Sequence, residues 1–267
     1  PGAVFWMWII AFFGMMTNYS ENVLGIFYRK KNAADEWSGG AMYYLRYGLG
    51  EKKNCKAIGI FLAGAFSVFC FLASFGIGNM TQVNSISSNM NSAFGIPTWV
   101  TGLFIMAAVG IVVLGGLKRI AAVTEKIVPL MVVLYIVGAV VILVTHIGTV
   151  PAIFTSIFKS AFGMKAVGGG IVGFGIRQAV ILGMKRGVFS NEAGLGSSVM
   201  VHSSSNVAEP VRQGMWGIFE VFADTIVVCT LTAVSILASG DIDLATGQLV
   251  SGVESSNLAS AAFGAMF

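Results

Sequence analysis

Charge is scarce in this sequence. Asp, Glu, Lys and Arg make up 10% of the 267 residues, while 56% are hydrophobic. A soluble domain carries roughly 25% charged residues, so there is too little charge here to cover a surface bathed in water. Cysteine is rare too: Cys55, Cys70 and Cys229 are scattered and form no CxxC pair. That excludes a disulfide-stapled or zinc-ribbon scaffold and leaves packing as the reading of all three. The only histidines, His146 and His202, have no second ligand at metal spacing, and interfacial solvation suits both better than catalysis. No nucleophile–base pair is evident, so neither an enzyme nor a bound cofactor is expected. A net charge of +4 gives no reason to invoke nucleic acid. The chain opens at Pro1 with no basic leader and stops inside the apolar AAFGAMF, which reads as an internal fragment.

What the sequence does have is apolar runs of membrane-spanning length, about 20 residues each. Six are expected, at about 3–28, 58–90, 98–117, 127–147, 167–184 and 215–237. The fold class read from them is an all-α polytopic helical bundle, a single transmembrane domain over 1–267 in a lipid bilayer. Ile153, Phe154, Ile157, Phe158 and Phe162 recur at helical spacing over a shorter stretch, which suits a helix lying at the interface. A short amphipathic helix is expected around GGAMYYLRYGLG. Six spans divide the cations unevenly. Thirteen fall on one side, from Arg29-Lys30-Lys31 through Lys185, Arg186 and Arg212; only Lys159 and Lys165 fall on the other, and Arg177 lies inside a span. The cation-rich side is therefore cytoplasmic.

Polar groups inside spans are costly in lipid and carry the functional signal. GNMTQVNSISSNMNS, in the second span, places Asn79 and Gln82 three apart on one face. Two readings stay open for it: hydrogen-bond glue between helices or an aqueous substrate pathway. The fifth span, AVGGGIVGFGIRQAVILGM, carries five glycines ahead of Arg177 and Gln178. Interior glycine disfavours a helix by roughly 0.5–1 kcal/mol, so a broken helix is expected in this span. Peptide groups freed there would face a cavity and hold a zwitterion. The alternative is a glycine-lined packing face. Glu21, Glu220 and Asp224 lie within or near span ends, and Glu220 and Asp224 share a helical face. Arg177 is the one cation within a span, so an ion pair with Glu220 or Asp224 competes with a coupling-ion role. After Lys185-Arg186, the stretch Ser190-Asn191-Glu192 followed by AGLGSS reads as a compact cytoplasmic loop able to gate the fifth span.

The blocks PGAVFWMWIIAFFGMMTNYSE, GGAMYYLRYGLG, GNMTQVNSI, GGLKRIAAVTEKIVPLM, KRGVFSNEAGLGSS, PVRQG and ADTIVVCTLTA resemble those of the alanine or glycine:cation symporter family across nearly the whole chain. The resemblance implies a leucine-transporter-like fold, here partial. It implies symport of a small neutral amino acid with sodium or a proton across the plasma (inner) membrane, with no covalent chemistry. The runner-up is a proton-coupled or other-substrate transporter of the same superfamily. Carried over by motif, substrate contact falls to Gln82 and Asn79 and to Gly173, Phe174, Gly175 and Gln178. Arg177, Ser190, Asn191, Glu192, Glu220 and Asp224 take gating or structural polar roles. The sodium site is expected in helices outside these residues. A passive channel would instead need charged rings or carbonyl filters.

Overall fold

The computed structural model describes residues 1–33, 35–52, 54–76, 78–163, 169–250, 252 and 257–264; the side chains at 117–118 and 169–174 also lie outside the description. The described chain is mostly helical and gathers into two compact units, Pro1–Ala73 with Ser156–Thr230 and Ser74–Thr155 with Leu231–Phe267.

Helix α1 (Gly2–Tyr28) organises the first unit. Its buried positions Met7, Ala11, Gly14, Asn18, Asn22 and Gly25 recur every three or four residues, the period of a single helix face. That face is small and amide-bearing, whereas Phe12, Phe13 and Met16 are more than half exposed. A water-soluble helix shows the reverse pattern. Lipid tails are as apolar as leucine, so close backbone approach and hydrogen bonds, not greasy bulk, hold helices together in a bilayer.

Against this face pack α8 (Gly169–Asn191), α9 (Ser198–Ser203) and α10 (Pro210–Val221). Glycine makes the seams close. A Cβ on Gly183 would lie 2.4 Å from the Ala3 carbonyl oxygen, and one on Gly187 would lie 2.3 Å from Ile10 Cγ2. The Trp6 indole donates to the carbonyl of Ala161 at 3.2 Å, the last residue of α7 (Val150–Ala161). Beyond α1, Arg29 donates to the carbonyls of Ser203 (3.0 Å) and Ser205 (2.6 Å). It thereby anchors the end of α9, and burial lowers its pKa. A two-residue ribbon follows, β1 (Lys30–Lys31) antiparallel to β2 (Trp37–Ser38). The short helix expected after it is one turn, α2 (Ala41–Tyr43), continued as a π-helical turn over Tyr44–Leu49. α3 (Lys56–Ser74) completes this part.

The second unit holds α4 (Met80–Phe94), α5 (Thr98–Val113), α6 (Gly116–Thr145) and α12 (Leu258–Gly264). Gly95 ends α4 in the left-handed region at φ 68°, its N–H on the Asn91 carbonyl, and Pro97 precedes α5. Between the units' helices in sequence, α10 runs on through a π-helical stretch at Phe222–Val228 into α11 (Cys229–Ala238).

Among the described residues, four helical stretches are long and apolar enough to cross a membrane: Gly2–Tyr28, Lys56–Ser74, Arg119–Thr145 and Pro210–Ala238. α5 and α7 are shorter apolar helices, and α8 carries Arg177, Lys185 and Arg186 among its residues.

Three expectations need correcting. The run 58–90 is not one helix: α3 stops at Ser74 and α4 starts at Met80. The N–H groups of Asn79 and Met80 both turn back to the Gly76 carbonyl (3.3 and 3.0 Å), so the glycine-containing stretch between the helices forms a turn. The boundary near 117–127 lies earlier, because Gly115-Gly116 breaks the chain (Gly116 φ 74°) and the charged segment after it is already helical. Finally, α8 has no interruption between Gly169 and Asn191. Its helical hydrogen bonds are retained through Gly173-Phe174-Gly175, and Gly183 and Gly187 further along serve close packing on α1.

Candidate functional site

The first unit encloses a polar network in an otherwise apolar bundle. Asn18 and Asn22, one helical turn apart on α1, are fully buried. Asn22 Nδ2 donates to Asn18 Oδ1 at 3.2 Å, and Asn18 Nδ2 donates to Glu220 Oε2 at 3.3 Å and to the Gly217 carbonyl at 3.4 Å. Gly217 permits this approach, since a Cβ there would lie 2.4 Å from Asn22 Nδ2. Glu220 also pairs with His202 Nε2 at 2.8 Å. On the other side of the ring, Gln213 Nε2 lies 2.6 Å from Nδ1. An amide N–H only donates, so Nδ1 accepts and the Nε2–H donates to the carboxylate.

A second branch starts at the end of α8. Ser190 Oγ donates to Asp224 Oδ2 and lies 3.2 Å from Cys229 Sγ. Asn191 Nδ2 donates to Thr225 Oγ1 at 3.3 Å, and its Oδ1 accepts the Ala193 N–H at 3.1 Å. Asp224 lies in the π-helical stretch, a local widening that often marks functional positions in helices.

The turn between α8 and α9 explains the glycines of NEAGLGSS. Glu192, Gly194 and Gly196 all have positive φ, at 53°, 87° and 72°. Alternate left-handed residues reverse the chain within a few positions, and glycine adopts that region without steric cost. The Glu192 N–H closes α8 on the Val188 carbonyl, and the Gly194 N–H donates to Glu21 Oε2 at 3.1 Å. Glu192 accepts from Ser197 Oγ at 2.5 Å.

These side chains line an open cleft of about 510 Å³, walled by Ser190, Asn191, Glu192, Ser197, Ser198, Val201, His202, Glu220 and Asp224. A further cleft of about 440 Å³ is lined by His202, Gln213, Trp216, Phe219 and Glu220. His202 and Glu220 line both, so the pair forms a wall the two share.

The structure thus brings together five of the twelve residues singled out in the sequence: Ser190, Asn191, Glu192, Glu220 and Asp224. Arg177 is exposed and not within ion-pair distance of Glu220 or Asp224; Glu220's partner is His202. Gly175 and Gln178 are exposed on α8, while Gly173 and Phe174 lie outside the described side chains. Asn79 and Gln82 are exposed in the second unit, Asn79 donating to the Ser74 carbonyl and Gln82 accepting from Thr81. Further along α4, polar residues hold helices together: Ser88 donates to Asn257, Asn257 donates to Ser92, and Ser260 donates to Asn89. For that end of the polar run, the glue reading describes the contacts. His202, Gln213, Asn18 and Asn22 were missed. Their signal lay in the rule that a buried amide must find a partner, but the partners are up to about 200 positions away in sequence.

The family model for the sodium:alanine symporter family matches residues 1–267. The chain is 43% identical over 240 residues to the sodium/alanine symporter AgcS of Methanococcus maripaludis, covering 90% of this chain and 51% of that one. It is 39% identical over 254 residues to a sodium/proton-dependent alanine carrier protein of Bacillus sp. (strain PS3), covering 94% and 54%. To the probable sodium/glutamine symporter GlnT of Bacillus subtilis it is 38% identical over 240 residues, covering 90% and 47%. The chain spans about half the length of these curated relatives. A match along its whole length, on a helical scaffold with membrane-spanning runs, means that the chain belongs to the sodium:alanine symporter family.

Proposed function

We propose that the protein is a secondary active symporter of the plasma (inner) membrane. It couples inward movement of sodium to uptake of a small neutral amino acid, such as alanine or glycine, by alternating access on a leucine-transporter-like fold. The observation carrying this reading is the network that runs from the buried Asn18 and Asn22 to Glu220 and His202 at the edge of an open cleft, in a bundle whose outer face is apolar. Polar groups are expensive at membrane depth and persist where they serve a pathway or a switch. Membership of a symporter family and the names of the relatives support the same conclusion.

In this account the His202–Glu220 wall and the turn through Glu192 act as a gate, with Ser190, Asn191 and Asp224 holding α8 against the π-helical stretch. Substrate contact is assigned to Asn79 and Gln82 and to the Gly173–Gln178 face. α8 is continuous from Gly169, so its glycines would admit the substrate close to the helix surface rather than free peptide groups at a break. The sodium site is assigned to helices outside these residues. Proton coupling is the second reading. It is favoured by the imidazole–carboxylate pair in the wall and by the relative named as sodium/proton-dependent.

The test is counterflow in proteoliposomes. Vesicles preloaded with unlabelled alanine should transiently accumulate labelled alanine in sodium buffer, and Gln82→Ala should raise the substrate KM without lowering expression. Absence of counterflow with alanine, glycine and glutamine alike would overturn the assignment.

A further inference from the structure

Away from the polar network, the segment after α1 builds a groove of different character. Residues 29–56 carry seven cations against three carboxylates. Arg29 is occupied by backbone carbonyls and Lys31 pairs with Asp35. Of the other five, Lys30 and Arg46 lie at one aromatic ring. Both are exposed, and both border one ring: Lys30 Nζ lies 3.6 Å from the Tyr47 centroid and Arg46 Cζ lies 5.6 Å from it. Neither has a carboxylate within ion-pair distance among the described residues. Tyr43 stacks at a tilt on Tyr47, with centroids 6.0 Å apart.

Beside this charged rim lies a cavity of about 380 Å³, with Tyr43, Arg46 and Tyr47 on one wall and Ile60, Ala63 and Gly64 of α3 on the other. Gly59 sets the spacing. A Cβ there would meet the Leu45 carbonyl oxygen at 2.7 Å and Gly50 N at 2.8 Å, so α3 is drawn tight against the π-helical turn. Farther along α3 the groove opens, and a Cβ on Gly64 would meet nothing within 4 Å.

We propose that this groove binds one anionic phospholipid, its phosphate held by Lys30 and Arg46 and one acyl chain lying along Ile60, Ala63 and Gly64. A soluble phosphate would match the cations but would have no use for the apolar wall, which belongs to a helix long and apolar enough to cross a membrane. A zwitterionic lipid would match the wall but not two unpaired cations. Tyrosines at the rim suit the headgroup level of a bilayer, and basic pockets on the cytoplasmic side favour anionic headgroups.

The test is native mass spectrometry of the purified protein released from detergent. It would be titrated with phosphatidylglycerol, with phosphatidylcholine of the same chains, and with glycerol phosphate as the headgroup alone. The expected result is one retained phosphatidylglycerol in preference to phosphatidylcholine, not displaced by glycerol phosphate. Each of Lys30→Gln and Arg46→Gln should weaken it roughly fivefold, the effect of one cation near an anionic headgroup. Gly64→Leu should lower occupancy by both lipids with the charges intact. Leucine is a better helix former than glycine and has open space there, and an unchanged melting temperature would confirm that the fold is kept. If Gly64→Leu does not fold, the two charge variants decide alone. Equal binding of both lipids, a preference unaltered by the charge variants, or displacement by glycerol phosphate would overturn the proposal.

Discussion

His202 Nε2 lies 2.8 Å from Glu220 Oε2, and this pair forms the wall shared by two clefts. It stands at the end of a relay beginning at Asn22 and passing through Asn18. Removing the middle of that relay leaves Asn22 Nδ2 without its acceptor in a fully buried setting. Asn18→Ala should therefore destabilise the protein by about 1–3 kcal/mol, the penalty for an unmade buried hydrogen bond. Thermal unfolding in detergent measures it, and an unchanged midpoint would contradict the relay.

The α1–α8 seam has no room for a methyl group at Gly183. The obstacles there are the Ala3 carbonyl oxygen at 2.4 Å and Trp6 Cβ at 2.6 Å, neither of them the end of a flexible side chain. Gly183→Ala should cost about 1–3 kcal/mol by forcing the helices apart, despite alanine's better helix propensity. A rise in melting temperature would show that the seam is looser than described.

Gly194 separates backbone strain from crowding. Its φ is 87°, and the nearest atom to an added Cβ is Thr17 Cγ2 at an ordinary 3.7 Å. Gly194→Ala should then cost about 1–2 kcal/mol from the left-handed conformation alone, read from the same melts. It should also loosen the Gly194 N–H contact to Glu21.

Tyr44, in the π-helical turn between spans, has its phenol pKa pushed up to about 12, first by burial and then by the charge of Glu21. Its unfolded value is about 10. The folded state holds the proton longer than the unfolded one, so stability is unaffected below about pH 10 and falls as pH rises from there through about 12. In the alkaline absorbance titration of tyrosinate, Tyr44→Phe should remove a late-titrating component. A titration identical to the parent would contradict the burial.

The contrast between helix existence and helix contacts shows what the sequence could reveal. Residues 3–28 read as a span, and α1 occupies Gly2–Tyr28, because an uninterrupted apolar run at this length has no competing local structure. Glu220 and Asp224, four apart, do line one cleft. The turn through Glu192 was also legible, since alternate glycines have few other uses. What was not legible depends on partners distant in sequence. Five glycines ahead of Arg177 made residues 167–184 look breakable, yet α8 is helical from Gly169, although a Cβ on Gly175 would meet nothing within 4 Å; only the later Gly183 and Gly187 have a neighbouring helix to offset glycine's weak propensity. The turn actually lies between α3 and α4, where two glycines precede a polar run that had seemed to continue the helix. His202 looked like an interfacial residue because Gln213 and Glu220 reach it only once α9 and α10 are side by side.

The most direct measurement of the central claim is alanine uptake into proteoliposomes under an inward sodium gradient, compared with potassium replacement and with an inward proton gradient alone. Sodium-driven symport predicts concentrative uptake with sodium, little with potassium, and a marked loss in Glu220→Gln. Uptake of equal rate and extent under all three conditions would contradict cation-coupled symport.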